Sequence, residues 1–322
     1  MKCVNHLLPV IKVNSPAFKS RPGRWLPGFL SVGLSCLVAC VLPVLLAPPC
    51  RADSVVNGGD NASSELLTNG YFCDWFARVS QIQSEQPHWV TPLVTVTPRL
   101  EEELRYDEDR ESLQGGKTLT SFGGGKGLEF IPAENTEVIL NVPAWETENT
   151  TPKKQGWADE SFLFKSRLLS ANEQQGNYIL TAFMGLSVPT GSQAFTENHY
   201  IVTPTIAFGK GWGDFDFQST LGVSLPDNGS APAGYGMPIA LNTAFQYRIL
   251  KRIWPELEVN YTAWPNGEHN ELNQVLITPG LIIGRIPISG RLGLTFGMGY
   301  QVAVTQNPRY RNNLLFSVRL PF

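Results

Sequence analysis

Acidic residues recur at every second position in several stretches of the sequence. Asp214 and Asp216 form one such pair, and Glu256 and Glu258 form another. Two neighbouring carboxyl groups could serve as a general acid and a general base. In an extended chain, however, residues two apart share one face of a strand. We therefore interpret these pairs first as the electrostatic lining of a polar sheet face, and only second as catalytic groups.

Common catalytic and cofactor motifs are incomplete in this sequence. Gly115-Gly116-Lys117-Thr118 ends like a phosphate-binding loop, but Glu111 stands where the first glycine is required. The HExxH motif of metalloproteases and the Gly-x-Ser-x-Gly elbow of hydrolases do not occur. We expect a protein that is not an enzyme and that uses no cofactor and no metal. A barrel hydrolase with a His-Ser-carboxylate cluster at its outer rim is a third hypothesis.

The elements that position the charged pairs are predicted to be β-strands. From Trp89 onward, hydrophobic and polar residues alternate, as Leu257 and Val259 do with Glu256 and Glu258. The alternation predicts about twelve strands, each near or above the ~9–11 residues that a tilted strand needs to cross a bilayer. The predicted strands run approximately over 89–105, 119–132, 135–148, 159–170, 177–189, 199–209, 214–225, 237–249, 254–264, 274–284, 289–303 and 311–322.

The connections between these strands alternate in length. Short ones lie at Pro132–Asn135 and Lys210–Gly213, whereas Asp107–Thr118 and Glu148–Ala158 are examples of the longer, polar ones. Short periplasmic turns and longer outer loops are typical of outer-membrane barrels. The pattern therefore favours such a barrel over a soluble sandwich.

Threading the strands up and down places charged residues in the periplasmic half of the lumen, with Arg248 opposite Glu256. The predicted lumen-lining residues are Lys165, Arg167, Asp214, Asp216, Arg248, Glu256, Glu258, Arg291 and Arg319. About twelve strands lie between the filled eight-stranded barrels and the open porins. The charges are therefore interpreted either as neutralising one another in a filled interior or as forming a constriction that selects solutes.

The carboxyl terminus is an alternating segment that ends on an aromatic residue. Phe316, Val318, Leu320 and Phe322 fall on one face, and Arg319 falls on the other. This stretch resembles the terminal assembly signal of outer-membrane barrels, whose last strand must close against the first. We predict that these four apolar residues form that signal.

The first 52 residues have the composition of a secretory signal. They contain six Lys and Arg residues and no acidic residue, and the run from Phe29 to Ala47 is uncharged. Cys50-Arg51-Ala52 offers a small-x-small cleavage site. We predict cleavage after Ala52.

Cleavage there changes the charge and the cysteine content of the chain. The full sequence has 25 basic and 28 acidic residues, and loss of the six leader bases leaves 19 against 28, a net charge of −9. Such an acidic protein is a poor candidate for nucleic-acid binding. Only Cys73 follows the leader, which excludes an intrachain disulfide.

The segment that follows the predicted signal, 53–87, is separate from the predicted barrel. Phe72, Phe76 and Val79 have helical spacing, which predicts a short amphipathic helix. The segment is interpreted either as a periplasmic lead-in that packs at the barrel mouth or as a plug that reaches into the lumen.

One stretch carries a family resemblance. Gly209–Pro226, GKGWGDFDFQSTLGVSLP, resembles a family of outer-membrane transporters associated with phenol meta-cleavage pathways, and Pro204–Phe208 and Leu315–Phe322 fit it too. The resemblance covers about 88–322. It implies uptake of small molecules, hydrophobic or aromatic ones among them.

We therefore predict an all-β protein, a transmembrane antiparallel up-and-down β-barrel of about twelve strands after a cleaved signal peptide. The predicted divisions are the signal over 1–52, a periplasmic segment over 53–87 and the barrel over 88–322. The predicted function is a channel or transporter in the Gram-negative outer membrane for passive uptake. The alternative is a structural or surface-interaction barrel with a filled lumen. Expected partners are outer-membrane lipid and lipopolysaccharide, the barrel assembly machinery and a small-molecule substrate, but no nucleic acid.

Overall fold

A computed structural model describes residues 71, 74–227, 236–267, 270–306 and 308–322 of the chain. The predicted signal peptide, nearly all of 53–73 and Cys73 lie outside the described residues. Within the described ranges, one α-helix, α1 (Trp75–Ser84), precedes sixteen strands. None of the described residues belongs to a helix with the length and hydrophobicity that a membrane crossing requires.

Twelve of the strands form a closed antiparallel barrel, which confirms the predicted fold class. The sixteen strands are β1 (Glu103–Ser112), β2 (Thr118–Phe122), β3 (Leu128–Ala133), β4 (Thr136–Asn141), β5 (Trp145–Glu148), β6 (Lys154–Trp157), β7 (Glu160–Ala171), β8 (Tyr178–Val188), β9 (Ile201–Trp212), β10 (Phe215–Val223), β11 (Leu225–Pro226), β12 (Ile239–Tyr247), β13 (Ile253–Ala263), β14 (Asn273–Ser289), β15 (Leu292–Ala303) and β16 (Asn312–Pro321). The barrel consists of β1, β3, β4, β7 to β10 and β12 to β16, and β16 closes it by pairing with β1.

Strands β2, β5 and β6 extend the sheet beyond one edge of the barrel. The first residues of β1 pair with β3 and its last residues pair with β2, which continues to β5 and β6. The predictions of single strands over 119–132 and 135–148 were therefore wrong, since each range holds two. Gly125 and Gly127 lie between β2 and β3, where the chain leaves one strand and enters the next. Only glycine fits at these two positions, because an added Cβ atom would lie 2.0 Å from the Asp107 carboxylate at Gly125 and 2.2 Å from the Leu140 carbonyl oxygen at Gly127.

The two ends of the barrel differ, as the connection lengths predicted. We call the end with the connections after β3, β7, β9, β12 and β14 the short-turn end, and the opposite end the long-loop end. The turn between β12 and β13 closes with Ile249 opposite Ile253. This places Gln246 opposite Glu256, so the predicted pairing of Arg248 with Glu256 was wrong. The reason is that the turn is centred on Lys251, one residue earlier than the prediction requires.

The outside of the barrel is apolar and its inside is polar. In β13, Leu257 is 45% exposed and Tyr261 is 38% exposed, whereas Glu258 is completely buried. A soluble barrel would bury the apolar face instead. Charged groups such as Glu258 and Lys165 can occupy the interior because they have hydrogen-bond or ion-pair partners there.

The interior is filled by the chain that precedes β1. We call residues 85–102 the plug. The predicted strand over 89–105 was wrong for its first part. Residues 74–102, all of which the structure describes, contain no strand, and Trp89, Leu93 and Leu100 are buried inside the barrel. Pro92 and Pro98 cannot donate the backbone hydrogen bonds of a sheet, which disfavours this stretch as a strand.

Helix α1 lies at the short-turn end, where the plug enters the barrel. Its buried residues Val79 and Ile82 pack with Leu100 of the plug and Ile131 of β3. Arg291, in the turn after β14, donates a hydrogen bond to the Phe76 carbonyl oxygen at 3.2 Å. The helix is thus attached to strand β3 and to a turn from a distant part of the barrel.

Candidate functional site in the barrel lumen

Two buried glutamates of β13 hold the backbone of the plug. The Val94 and Thr95 N–H groups donate to the Glu258 carboxylate at 2.7 and 2.6 Å, and the Leu93 N–H donates to Glu256 at 3.2 Å. Hydrogen bonds to an ionised acceptor are stronger than neutral ones. The carboxyl groups of Glu256 and Glu258 therefore bind three successive amides of the plug.

Basic side chains hold the carbonyl groups of the same segment. Arg319 of β16 donates to the carbonyl oxygens of Thr91 and, at 2.9 Å, Pro92. Arg105 of β1 donates to the Leu93 carbonyl oxygen at 2.5 Å. The wall thus presents acceptors to the N–H groups and donors to the carbonyl groups of one short segment, which satisfies a backbone that forms no sheet.

Further along the plug, Lys165 of β7 has the same role, and Arg167 of β7 pairs with Glu85 at 3.2 Å, where the plug begins. The Lys165 ammonium donates to the Arg99 carbonyl oxygen at 3.1 Å and pairs with Glu137 of β4 at 2.8 Å. Both side chains of that ion pair are fully buried. Arg167 donates to the Ile82 carbonyl oxygen at 2.9 Å, at the end of α1.

Neutral polar residues complete the attachment of the plug. Gln218 of β10 accepts a hydrogen bond from the Thr97 hydroxyl at 2.7 Å and donates to the Val90 carbonyl oxygen at 3.0 Å. The Thr181 hydroxyl of β8 donates to the Pro98 carbonyl oxygen at 2.6 Å. Contacts therefore reach the plug from strands on several sides of the barrel.

Glycines in the wall make room for the two large apolar side chains of the plug. A Cβ atom added at Gly297 or Gly299 would lie 2.5 or 2.8 Å from the Leu93 side chain. One added at Gly209 would lie 2.5 Å from the Trp89 ring. The inner wall is therefore shaped to the plug, and a bulkier residue at any of these positions would displace it.

The structure brings six of the nine predicted lumen residues together inside the barrel. The buried ones are Lys165, Arg167, Asp216, Glu256, Glu258 and Arg319. Asp214, Arg248 and Arg291 lie instead at the rim of the short-turn end. There Arg248 pairs with Asp214 at 2.7 Å and Arg291 contacts α1.

The sequence interpretation missed the residues of the plug that occupy the lumen. Trp89, Leu93 and Arg99 were assigned to a strand because apolar and polar residues alternate there. The alternating Gly297 and Gly299 on the polar face of β15 were the available signal, because small residues on a lumen face leave space for another segment.

On the long-loop side of the plug, the lumen is lined by amide side chains. Gln301 donates to the Asn260 amide oxygen at 2.9 Å, and Asn260 donates to the Asn242 amide oxygen at 3.1 Å. Tyr310 donates to Gln301. The same side also carries Asp109 of β1, which accepts a hydrogen bond from the Asn313 amide at 2.8 Å.

At the short-turn end, two titratable contacts attach the plug and α1. The His88 ring Nδ1 lies 2.9 Å from Glu173, and the His88 backbone N–H donates to the same carboxylate at 2.7 Å. Burial opposes ionisation of Glu173, but these hydrogen bonds outweigh it and lower its pKa. Glu102 accepts a hydrogen bond from the Trp75 indole at 2.8 Å, and burial raises the pKa of Glu102 to about 7.

The described residues do not form a cluster of metal ligands. Across the ranges that the structure describes, no group of three or more His, Cys, Asp or Glu residues is placed to hold a metal ion. Buried carboxyl groups such as Glu258, Glu256 and Glu137 instead contact backbone amides, a glutamine and a lysine, respectively.

No protein-family model matches the sequence, and no curated protein matches it. Among solved structures, the crystal structure of an outer membrane channel from Pseudomonas putida F1 matches with a TM-score of 0.52 and 13% identity, over 73% of this chain and 100% of that one. The NanC porin matches at a TM-score of 0.46 and 10% identity, over 69% of this chain and 98% of that one. The association with phenol meta-cleavage pathways stays a prediction. By its closed twelve-strand wall and this structural similarity, the chain has the fold of the outer-membrane β-barrels.

Proposed function

We propose that the chain is a plugged channel of the Gram-negative outer membrane for passive uptake of small molecules, hydrophobic or aromatic ones among them. In this proposal the short-turn end faces the periplasm and the apolar outer wall contacts lipid and, in the outer leaflet, lipopolysaccharide. A predicted signal peptide exports the chain, and the barrel assembly machinery inserts it.

The observation that carries this proposal is how the lumen is filled. The strands of a small barrel can fill the interior with their own side chains. Here a single continuous segment, the plug, occupies it, and glycines such as Gly297 and Gly299 leave space for that segment. Withdrawal of one segment would therefore open the barrel without refolding its wall.

The alternative, a structural or surface-interaction barrel with a filled lumen, is favoured by the number of charged contacts on the plug. Glu258, Lys165 and Arg319 are all buried and all bonded to plug backbone. Breaking these bonds leaves buried charges without partners, which is costly. A plug that never leaves would make the protein such a filled barrel.

Conductance in planar lipid bilayers separates the two functions. We expect the wild type to show infrequent openings, and a variant that lacks residues 54–100 to conduct steadily, because the segment that fills the lumen is removed. A matched variant that lacks residues 54–73 keeps α1 and the plug and should behave like the wild type. A wild type that never opens at any voltage, beside a deletion variant that conducts, would favour the filled barrel.

A further inference from the structure

A cavity of about 300 Å³ opens at the short-turn end between the plug and strands β12 to β16. Six basic residues and two acidic ones line it, together with two tryptophans, Trp89 and Trp254. The basic residues are Arg99, Arg248, Lys251, Arg252, Arg285 and Arg319. Nothing in the plug's attachment requires so large an excess of positive charge at one place.

Half of these cations are already occupied. Arg99 pairs with Glu101 at 2.8 Å, Arg248 pairs with Asp214, and Arg319 holds the carbonyl groups of the plug. Glu103, the second acid of the cavity, lies close enough to Arg319 to interact with it electrostatically. The acidic side chains of this region are therefore neutralised by cations other than the remaining three.

The other three cations have no carboxylate partner. No described residue forms an ion pair with Lys251, Arg252 or Arg285, and Arg285 makes only a hydrogen bond to the Arg291 carbonyl oxygen. All three side chains are exposed at the mouth of the cavity. Deeper in the wall of the cavity, the Nε of the buried Arg99 also has no partner among the described residues.

We propose that this cavity is a binding site for a small organic anion, a carboxylate attached to a flat apolar body. Lys251, Arg252 and Arg285 hold the carboxylate, and the ring of Trp254 provides an apolar surface beside it. Guanidinium groups suit this role because their donors match the geometry of a carboxylate. Aromatic rings suit the apolar body because they bury a large area.

The position of the cavity favours a soluble anion over the headgroup of a lipid. Its lining includes Thr295 and Arg319, which are buried on the lumen side of the barrel. The lipid-facing side chains of the same strands, such as Phe296 and Val318, point the other way. The site is open toward the solvent at the short-turn end, so an anion reaches it without displacement of the plug.

Calorimetric titration of the folded, detergent-solubilised full-length protein tests this site, and it requires no transport. The probe is benzoate, with benzyl alcohol as its neutral counterpart. We expect benzoate to bind, and the triple variant Lys251→Gln, Arg252→Gln and Arg285→Gln to bind it about tenfold more weakly or worse, because bonds to charged groups are the strong ones. Heat-modifiable migration on gels verifies that each variant is folded.

The control removes the same charge from the opposite end of the barrel. Lys117→Gln, Lys153→Gln and Lys154→Gln together should leave benzoate binding unchanged. Equal binding by wild type and the first triple variant, or equal affinity for benzyl alcohol and benzoate, would overturn the proposal. So would a loss of benzoate binding in phosphatidylglycerol vesicles but not in phosphatidylcholine vesicles, which would assign the cavity to a lipid headgroup. The channel proposal is unaffected by any of these results.

Discussion

Glu258 illustrates how individual residues of this barrel use charge. Its carboxylate is fully buried and accepts hydrogen bonds from two successive amides of the plug. A paired carboxylate in such a position was open to interpretation as a catalytic group or as the lining of a constriction. Its contacts show a third use, which is to bind backbone that has left the sheet.

Replacement of this carboxylate should loosen the plug. Glu258→Gln keeps one acceptor and removes the charge, so we expect a loss of about 1–3 kcal/mol in plug binding. Trypsin cleavage after Arg99 requires release of the plug, and its rate follows the released population. The rate should therefore rise by about 5-fold to 150-fold. Glu197→Gln, in an exposed loop at the other end, is the control, and an unchanged rate in Glu258→Gln would contradict this role.

The close contact between Gly297 and Leu93 predicts a pair of substitutions that compensate for each other. Gly297→Ala places a methyl group against Leu93, 2.5 Å from its side chain, and should weaken plug binding by about 1–3 kcal/mol. Leu93→Ala in the same protein removes the clash and should recover part of that loss. A double-mutant cycle on the same trypsin assay measures the coupling, and strictly additive effects would show that the two residues do not meet.

At the scale of single elements, the two faces of each strand have opposite surroundings. Leu257 of β13 points outward and is 45% exposed, while the neighbouring Glu256 and Glu258 point inward. The plug differs because it is not paired along its length with a neighbouring strand. Most of its backbone partners are side chains, such as those of Glu258, Lys165 and Arg319, so we expect single substitutions in the wall to weaken its attachment.

Charge on the outer face should be costly only within the bilayer. We expect Leu257→Arg to destabilise the folded barrel by ~2–4 kcal/mol in lipid vesicles. Leu250→Arg makes the same change at the tip of the turn between β12 and β13, where Leu250 is 80% exposed, and should have little effect. Reversible unfolding by denaturant measures both variants. Similar stabilities would mean that β13 does not face hydrocarbon at Leu257.

The docking of α1 should depend on pH through Glu102. Burial raises the pKa of this carboxyl to about 7, above its ordinary value of 4.5, so the docked helix favours the protonated form. Docking should therefore be strongest below about pH 4.5 and should weaken as the pH rises through 7. Hydrogen exchange of the Trp75–Ser84 amides, corrected for intrinsic rates, measures this. Glu102→Gln should remove the dependence, and a dependence that persists in that variant would assign it to another group.

At the scale of the whole molecule, closure of the barrel depends on its last strand. β16 pairs with β1 along its full length, and the Phe322 N–H donates to the Glu102 carbonyl oxygen at 3.0 Å, where the plug meets β1. The carboxyl terminus therefore contacts both the seam of the barrel and the end of the plug. Its proposed role as an assembly signal, with Phe316, Val318 and Leu320, remains a prediction.

Removal of Phe322 should impair assembly in the membrane. We expect less heat-modifiable, folded protein in outer-membrane fractions of cells that express the truncated chain, at equal synthesis. Phe215→Leu, which alters an aromatic residue on the outer face of β10, provides a control for the loss of one aromatic ring. Equal folded yields of truncated and wild-type protein would rule out the signal.

Local sequence determined the barrel wall. The period of two in stretches such as β13 and β15 fixes which residues share a face, because successive side chains of a strand point in opposite directions. Loop lengths and the closing segment indicated an up-and-down barrel with two different ends. The faces of the strands and the lengths of the loops depend on residues that are close in the sequence, so they can be predicted from the sequence alone.

Only the tertiary structure decided what fills the barrel. The residues around Leu93 alternate as a strand does, yet their partners, Glu256 and Glu258, lie more than 160 positions away. The conformation of that segment depends on whether distant side chains form hydrogen bonds with its backbone N–H and carbonyl groups. The local alternation of apolar and polar residues contains no information about those distant partners. The pairing of β1 with both β2 and β3 also depends on residues distant in the sequence. Gly125 and Gly127 are required there by close contacts with Asp107 and Leu140, not by their sequence neighbours.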